Sequence, residues 1–158
     1  MSRSERNFVL DTNLFISGLR QVEAKAQLQA FHSAFAPFEY LSAVVVHELR
    51  AGAKRGDDLR SLERHILEPF ERRGRVLTPS YAAWCEAGDV LRNLARAEGG
   101  SPGNVRSLAN DVLLALSCRE AGVTLVTENL RDFRRIRRLV PFEFVPPWPT
   151  PIDSKNLS

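Results

Sequence analysis

Short β-like runs alternate with longer helical segments along almost the whole chain, and this alternation restricts the fold more than any other feature. Apolar runs at Phe8–Leu10, Val76–Thr78, Val123–Thr127 and Phe142–Val145 have strand length and β-branched or aromatic content. Helical periodicity occupies the intervals around Val22–Ala34, Ala43–Lys54, Asp58–Arg72, Ser80–Ala97 and Val105–Ala121. Strands separated by helices cannot pair as hairpins, so the pattern predicts an α/β fold with helices on the faces of a mainly parallel sheet. With 158 residues and 44% apolar content, the chain is expected to form one domain over residues 1–158, its core at about 7–146.

Local signals mark several boundaries. Ser80 is a good N-cap for the helix carrying Tyr81, Trp84, Val90, Leu91 and Leu94, and the run Gly99 to Gly103 must break it. Gly122 ends the next helix in the same way. Val44, Val45 and Val46 favour a strand, but Ser42 before them and Glu48-Leu49-Arg50 after them predict a helix start and its continuation. The proline-rich segment from Pro146 supports neither helix nor central strand, and a covering tail over 146–158 is expected. Cys85 and Cys118 lack a CxxC partner, so they are expected to be buried thiols and not zinc ligands. His32, His47 and His65 are each isolated from the spacings that zinc requires. No apolar stretch approaches the roughly 20 residues of a membrane span, and Met1 to Asn7 has no signal-peptide core. A soluble, cytoplasmic protein is expected.

The formal net charge is +3, but lysine is confined to Lys25, Lys54 and Lys155, so the cationic side is nearly all arginine. The guanidinium fork suits phosphates, although codon preference explains such a bias equally well, and the placement of individual arginines must decide. The acidic residues are better placed. Asp11 follows the apolar run Phe8–Leu10 and precedes Thr12 and Asn13, at the strand end where open α/β sheets bind ligands. At about 100° per residue, Leu108, Leu114 and Ala115 surround Asp111 on its helix, so its carboxylate needs a partner, a proton or a metal ion. A helix-start aspartate bonded to backbone amides is the ordinary alternative, and Asn110 beside it can orient neighbours. Glu48, taken singly, reads as half of a solvated pair with Arg50. Thr127 closes a buried strand as Asp11 closes the first, with Glu128 and Asn129 following. Oxygen-bearing side chains at such a mouth suit Mg²⁺ or Mn²⁺. Beyond it, Arg131, Arg134, Arg135 and Arg138 fall at i, i+3, i+4 and i+7, a polyanion-binding face, while Phe133 and Ile136 turn to the core.

Taken together and in this order, these segments resemble the PIN-domain ribonucleases, most closely the VapC toxins of toxin–antitoxin pairs, from about Asn7 to Pro146. Val9–Asn13 resembles the first motif, Glu48 within Val46–Gly52 the second, Asn110–Ala115 the third, and Leu125–Phe133 the fourth. The resemblance implies a three-layer PIN-like fold and a Mg²⁺- or Mn²⁺-dependent endoribonuclease that cuts structured RNA, transfer or ribosomal. It implies metal binding by Asp11, Glu48 and Asp111, support from Thr12, Asn13, Asn110 and Thr127, and phosphate binding by the four arginines. It further implies silencing by a VapB-type antitoxin laid across the groove, and a homodimer. The chain departs from the family at Asn129, where many relatives carry aspartate, so either Asn129 or Asp132 completes the site, with one ion or two. That neutral residue keeps open a second reading, a catalytically weak or inactive module that binds RNA or protein. Chemistry through an aspartyl phosphate is disfavoured, because Asp11 lacks a DxD pattern and no late strand carries lysine.

Overall fold

The structure is a computed structural model that describes residues 6–99, 105 and 107–149. Its centre is a five-stranded, wholly parallel sheet in the order β3-β2-β1-β4-β5. The strands are β1 (Phe8–Leu10), β2 (Glu39–Ser42), β3 (Val76–Leu77), β4 (Thr124–Val126) and β5 (Phe144–Val145). β1 lies in the middle, with Phe8 in register with Glu39 of β2 on one side and Thr124 of β4 on the other. Both faces are covered, which is why Val9, Leu10, Leu125 and Val126 are completely buried and the central strands read as continuous apolar runs.

Helices connect the strands: α1 (Thr12–Arg20), α2 (Val22–Phe35), α3 (Ala43–Gly52), α4 (Gly56–Leu62), α5 (Glu68–Arg72), α6 (Tyr81–Ala97), α7 (Ala109–Ala121) and α8 (Leu130–Arg137). α1 packs on α2 and α6 on α7. Phe8 of β1 meets the edges of Phe31 and Phe35 of α2 at 5.8 and 5.1 Å between ring centroids. On the other side Phe133 of α8 packs with Phe142 and Phe144 at 5.9 and 6.2 Å. The expected inward turn of Phe133 and Ile136 is present, both being fully buried. Trp148 lies 5.5 Å from Phe31, and the rest of the expected tail, from Thr150, falls outside the described residues.

The predicted caps form. The Ser80 hydroxyl accepts from Ala83 N, the Ser42 hydroxyl accepts from Val44 N at the start of α3, and Gly122 ends α7 at φ +64°. Helix wins over strand at Val44–Val46 because Ser42 caps the segment and Val44 and Val45 are packed into the core. The predicted break after α6 is entered at Gly99, with φ +88°, and residues 100–103 of it fall outside the described residues.

Among the described residues, the structure adds a strand, a helix and a 3-10 turn at Ala36–Phe38, and divides one expected helix. β2 has no apolar alternation in its sequence Glu-Tyr-Leu-Ser, and it is a strand because β1 and β3 pair with it on both sides. α1 begins immediately after Asp11 and carries only Leu14, Phe15 and Gly18 to the core beyond Thr12, too short a stripe to stand out. The helix expected over Asp58–Arg72 is interrupted by a π turn at Glu63–Leu67, where Glu68 N reaches back to Glu63 O. Pro69 explains it: the residue has no N–H to donate, and its ring crowds the carbonyl of His65 in a regular helix. Of the helix expected from Val105, Val105 is helical, Ser107 and Leu108 form a turn, and the continuous helix begins at Ala109. Cys118 is buried as expected, but Cys85 is exposed. The buried face of α6 runs through Ala83, Ala87, Val90 and Leu94, and Cys85 lies about 200° from Ala83 around the helix.

Candidate active site

The strand order places a topological switch point at the centre of the sheet. From β1 the chain proceeds outward to β2 and β3, then returns to β4 and β5 on the opposite side. The crossovers therefore diverge at the carboxyl ends of β1 and β4, leaving a crevice there. Asp11 stands at the end of β1 and Thr127 at the end of β4. Asp11 N continues the ladder to Val126 O at 2.9 Å, and the Thr127 hydroxyl donates to Asp11 Oδ2 at 2.7 Å. Asp11 also caps α1, its Oδ1 accepting from Thr12 N at 2.8 Å. Three backbone and side-chain restraints thus fix one carboxylate that is only 5% exposed.

Glu48 projects from the second turn of α3 and Asp111 from the first turn of α7. Their approach to Asp11 is legible in the electrostatics. Burial pushes the Asp111 carboxyl up to about 7, and the charges of Asp11, Glu48 and Asp132 add to the effect in that order. Glu48 is raised by burial first and then by Asp11. Asp11 is raised by burial, which outweighs the opposing hydrogen bonds from Thr127 and Thr12. Three carboxylates from three separate elements therefore repel one another in a poorly solvated recess. Glu48 Oε1 is buried without a hydrogen-bond partner, and so is the Thr12 hydroxyl that faces it.

Asp111 does not take the ordinary helix-start arrangement. Its Oδ2 accepts from Asn129 Nδ2 at 3.5 Å, and the same amide donates to Asp132 Oδ2 at 3.2 Å. Asn129 N in turn donates to the Thr127 hydroxyl at 3.0 Å. Asn129 and Asp132 therefore both border the recess, Asn129 as a donor between two carboxylates. Asn110 is half-buried, whereas Asn13 is exposed on α1.

The four arginines separate into two groups. Arg131, Arg134 and Arg138 are exposed. Arg135 is drawn into the protein surface: Nη1 donates to Asp132 Oδ1 at 3.0 Å and Nε donates to Glu98 Oε1 at 3.0 Å. Glu98, which follows α6, gave no signal in the sequence, since only the fold brings it to Arg135. Beside Glu48, a cleft of about 400 Å³ runs between α1, α3 and α4 over an apolar floor of Ile16, Leu19, Leu49 and Leu62, with Arg20 and Lys54 at its rim.

The donor chemistry of the recess fits a hard divalent cation. All candidate ligands are oxygens, their charges repel, and Glu48 Oε1 lacks any partner. Among the described residues, no three carboxylate, histidine or thiolate side chains are gathered closely enough to hold an ion as they stand. Zinc-type ligation is likewise absent among them. His32 instead pairs with buried Glu39 at 2.5 Å.

Comparison with known proteins agrees with this geometry. A family model described as PIN domain matches residues 8–139. FitAcB from Neisseria gonorrhoeae superposes with a TM-score of 0.64 at 23% identity, covering 90% of this chain and 99% of that one. DNA-bound VapBC from Salmonella typhimurium gives 0.63 at 26% identity, covering 90% and 98%. VapBC2 from Rickettsia felis, bound to a promoter DNA fragment, gives 0.58 at 23%, covering 90% and 98%. No curated protein sequence matches the chain. The wholly parallel sheet, the carboxylates around its switch point and a family match over most of the length agree: the chain belongs to the PIN domain family.

Proposed function

We propose that this protein is an endoribonuclease of the VapC toxin type, dependent on Mg²⁺ or Mn²⁺ and acting on structured RNA. The observation that carries the reading is the convergence of Asp11, Glu48 and Asp111 on one recess, close enough that the Asp11 charge raises the proton affinity of Glu48 and both raise that of Asp111. Asp11, Glu48 and Asp111 would hold the ion. When bound, it supplies Lewis-acid polarisation of the scissile phosphate and activation of water. The chain's own contribution is orientation. Thr127 and Thr12 N fix the Asp11 carboxylate, and Asn129 ties Asp111 to Asp132. Arg131, Arg134 and Arg138 would bind flanking phosphates of the RNA. The apolar cleft beside Glu48 suits a chain of a VapB-type antitoxin, with its acidic end receiving a basic side chain. That partner is supported by the likeness to VapBC of Salmonella typhimurium. A homodimer and a cytoplasmic location complete the proposal, and no described helix is long and apolar enough to cross a membrane.

A second reading, a binding module without useful catalysis, is favoured by the open spacing of the acidic groups and by neutral Asn129. Induction of the wild type and of Asp11→Ala in a bacterial host, followed by sequencing of RNA 5′ ends, separates the two. Discrete new ends that require Asp11 establish the nuclease and identify its target. Absence of new ends from folded wild-type protein supplied with Mn²⁺ overturns the toxin reading and favours the binding module.

A further inference from the structure

Arg135 belongs by sequence to a phosphate-binding stripe, but the fold removes it from that stripe. Its guanidinium bridges two carboxylates on different elements, Glu98 beyond α6 and Asp132 in α8, at 3.0 Å each. It is about a quarter exposed, against exposed Arg131 and Arg134 on the same helix and exposed Arg138 at its C-cap. The chain of contacts does not stop there. Asp132 uses its other oxygen to accept from Asn129 Nδ2 at 3.2 Å, and the same amide reaches Asp111 Oδ2 at 3.5 Å. One continuous line, Glu98, Arg135, Asp132, Asn129, Asp111, therefore runs from the surface into the recess.

We propose that Arg135 is a positioning residue of the site, held by Glu98, that fixes Asp132 and through Asn129 sets the orientation of Asp111. The inference rests on the nuclease reading for its catalytic consequence, but not for its structural one. Three features support it. A planar fork can bridge two carboxylates in a fixed geometry, which lysine cannot reproduce. Asp132 stands one amide away from Asp111, and its Oδ1 is held by the Arg135 guanidinium at 3.0 Å while its Oδ2 receives the Asn129 amide. Asn129 has no charge of its own to hold its place, so its amide orientation depends on Asp132 remaining still. Outer residues that orient ligand side chains commonly contribute about 10–100-fold to activity when removed. Glu98 becomes functional on this account although it lies far from the recess in sequence and touches none of its carboxylates.

The test compares Arg135→Gln, Glu98→Gln and Arg134→Gln in the full chain. The first readout is the side-chain amide signal of Asn129 in metal-free protein, assigned by its loss in Asn129→Asp. Arg135→Gln and Glu98→Gln should both shift it, and Arg134→Gln should leave it in place. Glu98→Gln keeps the guanidinium and all inner groups, so it remains informative if Arg135→Gln folds poorly. The second readout is binding of a fluorescent RNA hairpin in an Asp11→Asn background. Arg134→Gln should reduce the slope of log K against log salt by about 0.7, one phosphate contact, while Arg135→Gln leaves the slope unchanged. The third is cleavage, where Arg135→Gln and Arg135→Lys should lower kcat about 10–100-fold with little change in KM. An Asn129 signal that stays fixed in both Arg135→Gln and Glu98→Gln overturns the proposal. So does a salt slope that falls in Arg135→Gln as it does in Arg134→Gln. Wild-type protein that cuts no RNA while the Asn129 signal still responds to Arg135→Gln and Glu98→Gln overturns the nuclease reading and leaves the positioning role standing.

Discussion

Asp111 is a carboxylate whose environment opposes its charge, and the consequence is a stability that depends on pH. Its folded affinity for a proton lies at about 7 against an ordinary 3.8, chiefly through burial. The fold therefore binds this proton more tightly than the unfolded chain does, and the stability so gained is present at low pH. It is lost as pH rises from about 4 through about 7. Melting in EDTA should accordingly show a falling Tm between pH 5 and pH 8. Asp111→Asn should flatten that slope and raise Tm at pH 8 by about 3–6 °C, since 1–2 kcal/mol corresponds to a few degrees at this size. A Tm in Asp111→Asn that still falls in parallel with the wild type would reject this origin. Thr127 makes the opposite kind of contribution, because its hydroxyl donates to Asp11 and accepts from Asn129 N. Thr127→Val retains the shape but leaves a buried carboxylate short of a donor, a loss of about 1–3 kcal/mol readable by urea unfolding. The sequence disclosed Asp11 and Asp111 because each carboxylate sits against an apolar pattern. Glu48 became legible only through its resemblance to a family motif. Glu98 was invisible for a physical reason: its partner is long-range, and an isolated glutamate after a helix resembles any solvated one.

At the scale of elements, local signals succeed where the backbone itself imposes a requirement. Gly122 is such a case, with φ +64° at the end of α7. A side chain there enters left-handed backbone, so Gly122→Ala should destabilise by about 1 kcal/mol. Gly88 is the converse. It lies inside α6 in open space, with nothing within 4 Å of an added Cβ. Gly88→Ala should stabilise by about 0.5–1 kcal/mol through helix propensity alone. Paired denaturation curves of the two variants should therefore move to opposite sides of the wild type, and movement in the same direction would contradict the backbone assignment. Elements without a local requirement were hidden. β2 owes its existence to neighbours on both sides, and its Glu39 is a charged residue at a buried strand position. The π turn at Glu63–Leu67 depends on a proline that marks an irregularity without specifying its form.

Across the whole molecule, topology and charge act together. Asp11 and Thr127, 116 residues apart, meet because the strand order reverses between β1 and β4. α7 and α8 flank that same end of the sheet, bringing Asp111 beside the basic helix. The alternation of strands and helices was enough to anticipate a parallel sheet, but not its order, because order is set by which strands bury which faces. The net charge of +3 is too small to bind a polyanion without local concentration. On the proposed function, exposed Arg131, Arg134 and Arg138 would provide that concentration, while Arg135 is already paired with Glu98 and Asp132. If each of the three meets one phosphate, RNA affinity measured from 50 to 200 mM salt should show a slope near 2. The triple change Arg131→Gln, Arg134→Gln, Arg138→Gln should abolish most of that slope while leaving Tm within about 2 °C, because exposed charges contribute little to stability. A slope that survives the triple change would move the RNA path away from α8. The remaining cationic rim beside the recess, Arg20 and Lys54 at the cleft between α1, α3 and α4, would then be the next surface to neutralise.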